Sequence, residues 1–176
     1  LLEESLCKWF AKKIGFNDSS GGIAASGGTL SNLNALIAAR NNAGLGTNPN
    51  SVLLVSEDAH SSFVKCIRVM GLDTTNLVRI KTDNQGRMDI NDLRKSLDKC
   101  TIENKKIFAI VATLGTTVRG AIDPIKEISE ICKQRNIWLH IDGSIGGIFA
   151  ITSIPIEGLN NINQANSITI NPQKII

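Results

Sequence analysis

The sequence predicts an α/β fold with a mostly parallel sheet flanked by helices. Two observations indicate this. Apolar, β-branched runs typical of buried strands alternate with stretches whose apolar residues recur at helical spacing, in units of about 25 to 30 residues. The strand runs are apolar on both faces, as they are in a parallel sheet that helices cover on each side.

The first predicted elements are two helices joined by a turn-rich segment. Residues 2–14 carry large apolar side chains at helical spacing, and Glu3 and Glu4 lie in the first turn, where the helix dipole favours acidic groups. The second helix starts near Thr29, directly after a Gly-rich stretch, and ends around Asn42. The glycines therefore stand at the amino terminus of this helix.

Beyond the second helix, strands and helices alternate. The predicted order is strand 52–55, helix 61–70, strand 77–80, helix 90–97, strand 107–112, a helix after Asp123 and Pro124, strand 137–141 and strand 168–170. Asp123 is expected to cap its helix, and Pro124 suits the first turn. No linker or repeat interrupts the series, so we expect one domain over residues 1–176.

Composition argues against several classes of function. Hydrophobic residues make up 42% of the chain, but no apolar run approaches the ~20 residues that a membrane helix requires. The net charge of +3 forms no basic stripe, so nucleic acid is not an expected partner. Cys7, Cys66, Cys100 and Cys132 are widely spaced and form no CxxC pair, so we expect reduced thiols, no metal site and a cytoplasmic location.

A candidate site begins in the stretch NIWLHIDGSIGG (residues 136–147), which runs an apolar strand into Asp142 and a turn of small residues. Ligands of doubly wound sheets bind at the carboxyl ends of the strands, where this carboxylate is expected. A helix cap or a loop salt bridge would also explain an isolated aspartate. Three further features favour a ligand site: the SGGT turn at residues 26–29, His60 and Lys174.

Each of these features has an ordinary alternative. Gly27 and Gly28 precede a helix whose free amides and dipole favour an anion such as phosphate, yet they match neither the dinucleotide nor the P-loop pattern and could form a simple turn. His60 follows a strand at the same sheet edge, where an imidazole can stack, transfer a proton or merely pack. Lys174 is a nucleophile in an apolar pocket or else a solvated surface residue.

Together the four features meet the needs of one cofactor, pyridoxal 5'-phosphate. This cofactor requires a lysine for its aldehyde, an acid for its pyridinium nitrogen, an anion cradle for its phosphate and a flat or apolar group against its ring. The acid matters most, because a carboxylate keeps the ring nitrogen protonated and the protonated ring withdraws electrons from a bond breaking at the substrate's Cα.

The chain resembles the group II pyridoxal-phosphate-dependent amino acid decarboxylases, which include glutamate, aromatic amino acid, histidine and diaminobutyrate decarboxylases. The resemblance rests on five blocks in the family's order: SGGTLSNLNALIAAR, SEDAHSSFVKCIRVMGL, IVATLGTTVRGAIDPI, IWLHIDGSIGG and ANSITINPQK. It implies the large domain of an aspartate-aminotransferase-like fold. Because the chain lacks an initiator methionine and stops soon after Lys174, we expect a fragment without the amino- and carboxyl-terminal parts of the full enzyme.

The resemblance implies roles for individual residues. Lys174 would form the Schiff base with the cofactor, Asp142 would pair with the ring nitrogen, and His60 would stack on the ring. Further cofactor contacts are implied at Gly27, Gly28, Thr29, Thr117, Ser144, Asn171 and Gln173. Two positions depart from the family pattern: Gln173 replaces a common histidine and cannot protonate near neutral pH, and Gly143 and Ser144 replace a common Ala-Ala pair.

The implied reaction is decarboxylation of an L-amino acid to the amine and carbon dioxide by a homodimer, with the isolated fragment inactive. Three alternatives remain open. Another pyridoxal-phosphate lyase, either a carbon–carbon lyase or an aldehyde-forming relative, would use the same lysine and aspartate. A truncated gene product would keep the fold without completing the site, and a nucleotide-binding α/β domain would need no cofactor lysine.

Overall fold

Five strands form one sheet whose faces are both covered by helices. The structure is a computed structural model that describes residues 1–156 and 158–174. The strands are β1 (Ser51–Ser56), β2 (Leu77–Ile80), β3 (Lys106–Thr113), β4 (Trp138–Gly143) and β5 (Ser167–Ile170). The helices are α1 (Leu2–Ile14), α2 (Gly28–Asn42), α3 (Ser62–Val69), α4 (Ile90–Ile102) and α5 (Ile125–Arg135).

The strand order is β2-β1-β3-β4-β5, and every neighbouring pair is parallel. The predicted parallel α/β architecture is therefore confirmed. Parallel strands need crossover connections, and here α3, α4 and α5 supply the first three of them, whereas the connection from β4 to β5 contains two short 3₁₀ helices, Gly146–Ile151 and Leu159–Gln164. All carboxyl ends of the strands consequently lie at one edge of the sheet, where the residues that follow β1, β3, β4 and β5 can meet.

Alternation along the central strands divides the core into two layers. In β1, Val52 and Leu54 face a cluster that includes Leu97 of α4, whereas Leu53 and Val55 face the opposite cluster with residues of α2 and α3. All six residues of β1 are buried. Because both faces pack against helices, the strand reads as a continuous apolar run rather than as an alternating one.

Helix α4 runs on to Ile102, beyond the end predicted at Leu97. Its buried face continues through Cys100, which carries the apolar stripe one turn further. Asp89 caps the helix, because its side chain accepts hydrogen bonds from the backbone amides of Asn91 and Asp92. The polar residues after Leu97 concealed this last turn from the sequence pattern.

Asp123 is not the helix cap that the sequence predicts. Helix α5 has no side-chain cap, and the buried carboxylate of Asp123 instead accepts hydrogen bonds from the backbone amides of Met88 and Thr113, each at 2.7 Å. Burial raises the pKa of Asp123 to about 6. The two hydrogen bonds from backbone amides lower this pKa, but the effect of burial is larger. Asp123 thereby ties the end of β3 to the segment before α4.

The four cysteines, all in the described part of the chain, are free thiols. Within residues 1–156 and 158–174, no group of histidine, cysteine, aspartate or glutamate side chains is arranged to hold a metal ion. Over the same ranges, no helix has both the length and the apolar character needed to cross a membrane.

Candidate active site

A cavity of about 210 Å³ opens at the carboxyl edge of the sheet. Its walls come from the amino-terminal turn of α2 and from the segments that follow four of the strands. The lining residues are Gly28, Thr29, Asn32, His60, Ser62, Thr113, Gly115, Thr116, Thr117, Asp142, Ser144, Ile145 and Lys174. Parallel topology therefore assembles residues from across the whole sequence around one space.

The amino terminus of α2 approaches the end of β4 closely because residue 28 is a glycine. A Cβ atom added to Gly28 would lie 2.8 Å from Oγ of Ser144, well inside normal contact. Gly27 is the N-cap residue and offers no side-chain cap to the helix. The first-turn amides of α2, with the positive end of the helix dipole, thus stand at the cavity as an anion-binding element.

Asp142 lies near the end of β4 and is only 5% exposed. Its Oδ1 accepts hydrogen bonds from the backbone amide of Ser144 at 3.1 Å and from Oγ of Ser144 at 2.6 Å, and its Oδ2 accepts one from Nδ2 of Asn32 at 3.1 Å. No lysine, arginine or histidine in the described ranges forms a salt bridge with it. The 3₁₀ helix that follows β4 has Ile145 at its N-cap and no side-chain cap, so neither a helix cap nor a salt bridge accounts for the position of Asp142.

His60 follows β1 and lines the cavity. Its Nδ1 lies 2.8 Å from Oγ of Ser62 and accepts a hydrogen bond from the backbone amide of Ser62 at 3.2 Å. Because Nδ1 is an acceptor, the neutral ring carries its proton on Nε2. Ser62 thus fixes both the orientation and the tautomer of His60.

The loop after β3 brings Thr116 and Thr117 to the cavity. The amides of Gly115 and Thr116 both donate to the carbonyl of Ala121, and Oγ1 of Thr116 accepts a hydrogen bond from the Ala121 amide at 3.0 Å. The loop is therefore closed on itself, and Asp123 anchors its base through the amide of Thr113.

The structure brings most of the residues singled out in the sequence to one place. Gly28, Thr29, His60, Thr117, Asp142, Ser144 and Lys174 line the cavity. Gly27 directly precedes the first turn of α2, and Nδ2 of Asn171 would lie 3.9 Å from a Cβ atom on Gly28. Gln173 is exposed and is not among the residues lining this cavity. Lys174 belongs to a short 3₁₀ turn, Pro172–Lys174, after β5.

Several cavity residues were absent from the sequence prediction, and Asn32 is the most consequential. Asn32, Leu36 and Ala39 form the buried face of α2. Asn32 lies four positions before the core residue Leu36, so the sequence could have indicated that its polar side chain is buried on the same face of the helix. His140, behind the cavity, shares a face of β4 with Asp142 because it lies two residues earlier in the strand.

Comparisons with known proteins identify the family of the chain. The family model described as pyridoxal-dependent decarboxylase conserved domain matches residues 1–176. The chain is 32% identical over 173 residues to an aromatic-L-amino-acid decarboxylase of Bacillus atrophaeus, covering 98% of this chain and 36% of the relative. It is 34% identical over 183 residues to the acidic amino acid decarboxylase GADL1 of Homo sapiens, covering 100% of this chain and 35% of the relative.

A crystal structure of mouse CSAD superposes with a TM-score of 0.92 at 30% identity, covering 98% of this chain and 37% of that chain. The fold and the cavity define a cofactor-binding domain of the kind found in pyridoxal-phosphate-dependent α/β enzymes. The chain belongs to the pyridoxal-dependent decarboxylase family. It spans a little over a third of the length of the curated relatives it matches.

The residues present fit the family's cofactor, pyridoxal phosphate. Asp142 is a buried carboxylate without a cationic partner among the described residues, which suits a ligand group that carries an N–H and positive charge. Gly28 leaves open the space that a Cβ would fill beside the amides of α2, which suits a phosphate. Lys174 supplies the only amine side chain among the cavity's lining residues, all of which are described.

Proposed function

We propose that the full-length protein is a pyridoxal-phosphate-dependent carboxy-lyase that converts an L-amino acid to its amine and carbon dioxide. The observation that supports this most directly is that Asp142 and Lys174 line the same small cavity. A buried carboxylate that forms no salt bridge is costly, and Lys174 lines the same cavity, so the two residues favour a ligand with a cationic ring nitrogen and an aldehyde.

The proposal assigns a task to each side of the cavity. Lys174 would hold the aldehyde carbon, Asp142 would accept a hydrogen bond from the ring nitrogen, and the amides of Gly28 and Thr29 would bind the phosphate. When bound, pyridoxal phosphate supplies an electron sink for the electron pair that remains as carbon dioxide leaves Cα. The remaining contacts proposed from the sequence are Gly27, Thr117, Ser144, Asn171 and Gln173.

His60 would lie against the face of the ring. Its Nδ1 is engaged by Ser62, so the ring cannot turn freely and Nε2–H remains directed away from that contact. A flat side chain held in this way restricts the orientation of a planar ligand, which is a precondition for selective bond cleavage at Cα.

We further propose that the full-length protein is cytoplasmic and works as a homodimer. Helix α1 supports a dimer, because it exposes the apolar side chains of Leu2, Leu6 and Trp9, which a second subunit could cover; Trp9 is 46% exposed. The isolated residues 1–176 should bind cofactor weakly and release little carbon dioxide, since the remainder of the enzyme would contribute to the substrate site.

The test uses the full-length protein and a panel of L-amino acids. Lys174→Ala should abolish carbon dioxide release and the visible absorbance of bound cofactor, and borohydride reduction should label Lys174 in the wild type. Lys126→Ala is the control, because Lys126 is an exposed lysine on α5. Unchanged carbon dioxide release by Lys174→Ala would contradict the proposal. Aldehyde in place of amine among the products would point to the aldehyde-forming alternative.

A further inference from the structure

A chain of four hydrogen bonds runs through the sheet and ends on Asp142. Nε1 of Trp138 donates to Oγ of Ser167 at 2.8 Å, and Oγ of Ser167 lies 2.8 Å from Nδ1 of His140. Nε2 of His140 lies 3.0 Å from Oδ1 of Asn32, and Nδ2 of Asn32 donates to Oδ2 of Asp142 at 3.1 Å. The chain connects α2, β4 and β5.

The chemistry of its two ends fixes the direction of every bond. A carboxylate only accepts, so Asn32 turns Nδ2 to Asp142 and leaves Oδ1 for His140; Nε2 of His140 must then carry the proton. The indole of Trp138 only donates, so Ser167 accepts from it and has its own proton free for Nδ1 of His140. Each group therefore donates toward Asp142.

His140 suits this arrangement because it is neutral. The imidazole is fully buried, and burial lowers the pKa of His140 despite the nearby Asp142 carboxylate, which raises it. A neutral ring can accept at Nδ1 while donating at Nε2, whereas a protonated ring could only donate. The hydrogen bonds point one way and can strengthen each other along the chain.

We propose that Asn32, supported by His140, keeps the proton shared between Asp142 and the cofactor on the ring nitrogen. The inference rests on the proposed function. A hydrogen bond donated to a carboxylate stabilises its charged form, so the carboxylate binds a proton less strongly and the ring keeps its positive charge. Asn32 is a positioning residue, because it acts on the ring through Asp142.

A neighbouring contact provides a matched control. Oγ1 of Thr169 on β5 donates to Oγ of Ser31 on α2 at 3.1 Å, and Thr169 is 1% exposed. This bond joins the same helix to the sheet beside the Asn32 contact, but it does not reach Asp142. Thr169→Val removes the bond with little change in shape, so its effects report on packing alone.

The test compares full-length wild type, Asn32→Leu and Thr169→Val, each loaded with pyridoxal phosphate carrying ¹⁵N in the ring. In Asn32→Leu the ring ¹⁵N resonance should move toward that of an unprotonated pyridine, and kcat should fall about tenfold or more with a smaller change in KM. Thr169→Val should keep the wild-type resonance and kcat.

A ring resonance that is unchanged in folded, cofactor-bound Asn32→Leu would overturn the inference, as would an equal displacement in Thr169→Val. If Asn32→Leu does not fold, Ser167→Ala, which removes the hydroxyl next to His140, takes its place. A displacement of the ring resonance of the same sign supports the inference, and an unchanged resonance overturns it. Wild-type protein that binds no cofactor would instead overturn the proposed function, and this inference with it.

Discussion

Oγ of Ser144 lies 2.6 Å from Oδ1 of Asp142, so the residue two positions after the carboxylate turns back to bind it. The backbone amide of Ser144 binds the same oxygen at 3.1 Å. The resemblance noted in the sequence implies an alanine at this position. The hydroxyl is therefore an additional donor on the oxygen that the backbone already serves.

Removal of this hydroxyl should be tolerated. Ser144→Ala leaves Oδ1 of Asp142 with the backbone amide, so carbon dioxide release should stay within about tenfold of wild type, while the free energy of unfolding falls by about 1 kcal/mol. The measurements are steady-state turnover and thermal unfolding of the full-length protein. Ser61→Ala is the control, because Ser61 is exposed and makes no side-chain cap to α3. Complete loss of turnover in Ser144→Ala would contradict this prediction.

A methyl group on Gly28 should impair cofactor binding more than folding. Its Cβ would lie 2.8 Å from Oγ of Ser144 and would occupy the space beside the α2 amides, whereas alanine favours the helix by about 0.5–1 kcal/mol over glycine. We expect Gly28→Ala to weaken pyridoxal phosphate binding about tenfold or more. Gly21→Ala is the control, because a Cβ there meets no atom within 4 Å.

The double variant Gly28→Ala, Ser144→Ala separates the overlap with the Ser144 hydroxyl from the obstruction of the space beside the α2 amides. Without the hydroxyl, the nearest atom to the new Cβ is Cβ of residue 144 at 3.6 Å, which is an ordinary contact. The stability loss caused by the overlap should therefore disappear, while cofactor binding should remain weak because the methyl still stands at the α2 amides. Recovery of full cofactor affinity in the double variant would refute a phosphate site at this turn.

Asp123 should make the protein's stability depend on pH. Its pKa is about 6 in the folded state against 3.8 as the reference value, so the folded state prefers the protonated acid. The contribution of Asp123 to stability is thus greatest below pH 4 and declines as the pH rises to about 6, by roughly 3 kcal/mol in total.

The variant Asp123→Asn isolates this effect, since asparagine does not titrate there. The side-chain NH₂ group of the asparagine would face the backbone N–H of Met88 or Thr113, which is also a donor. The variant protein should therefore be less stable than wild type at every pH, and the difference should be largest near pH 4. The stability advantage of wild type should shrink between pH 4 and pH 7 in thermal unfolding. An advantage that grows with pH would show that Asp123 is not a group with a raised pKa.

Gly146 should tolerate no side chain. A Cβ there would overlap the carbonyl oxygen of Leu114, which also accepts the hydrogen bond of the Gly146 amide at 2.9 Å. Because backbone cannot move aside cheaply, Gly146→Ala should lower the free energy of unfolding by about 3 kcal/mol. Gly147→Ala is the comparison, since its Cβ would meet the Ile170 side chain at 3.0 Å and should cost less. Equal losses in the two variants would contradict the backbone explanation.

The fold was predictable because the strands are buried on both sides and each therefore reads as an apolar run. That same pattern placed Asp142 and His60 at the carboxyl ends of their strands, where parallel topology makes neighbours of residues distant in the sequence. The end of α4 was missed because polar residues follow Leu97, although Cys100 remains buried.

The sequence analysis missed contacts where the tertiary structure decides a residue's partner. An aspartate before a proline and a helix suggests a cap, yet the amides of Met88 and Thr113 take the carboxylate of Asp123. The burial of Asn32 could be inferred from the apolar face of α2, but its partners could not, because Asp142 and His140 lie more than a hundred positions further along. Such a pairing is specified by the packing of α2 on the sheet and not by neighbouring residues.

The partners of the Asn32 amide are synthesised much later than Asn32 itself. Helix α2 leaves the ribosome long before β4 and β5, so its inward polar group has neither of its eventual partners while the first half of the chain is made. In a nascent chain interrupted before β4 that amide would be hydrated by water, so the buried hydrogen-bond chain that ends on Asp142 can form only after β4 and β5 have been made.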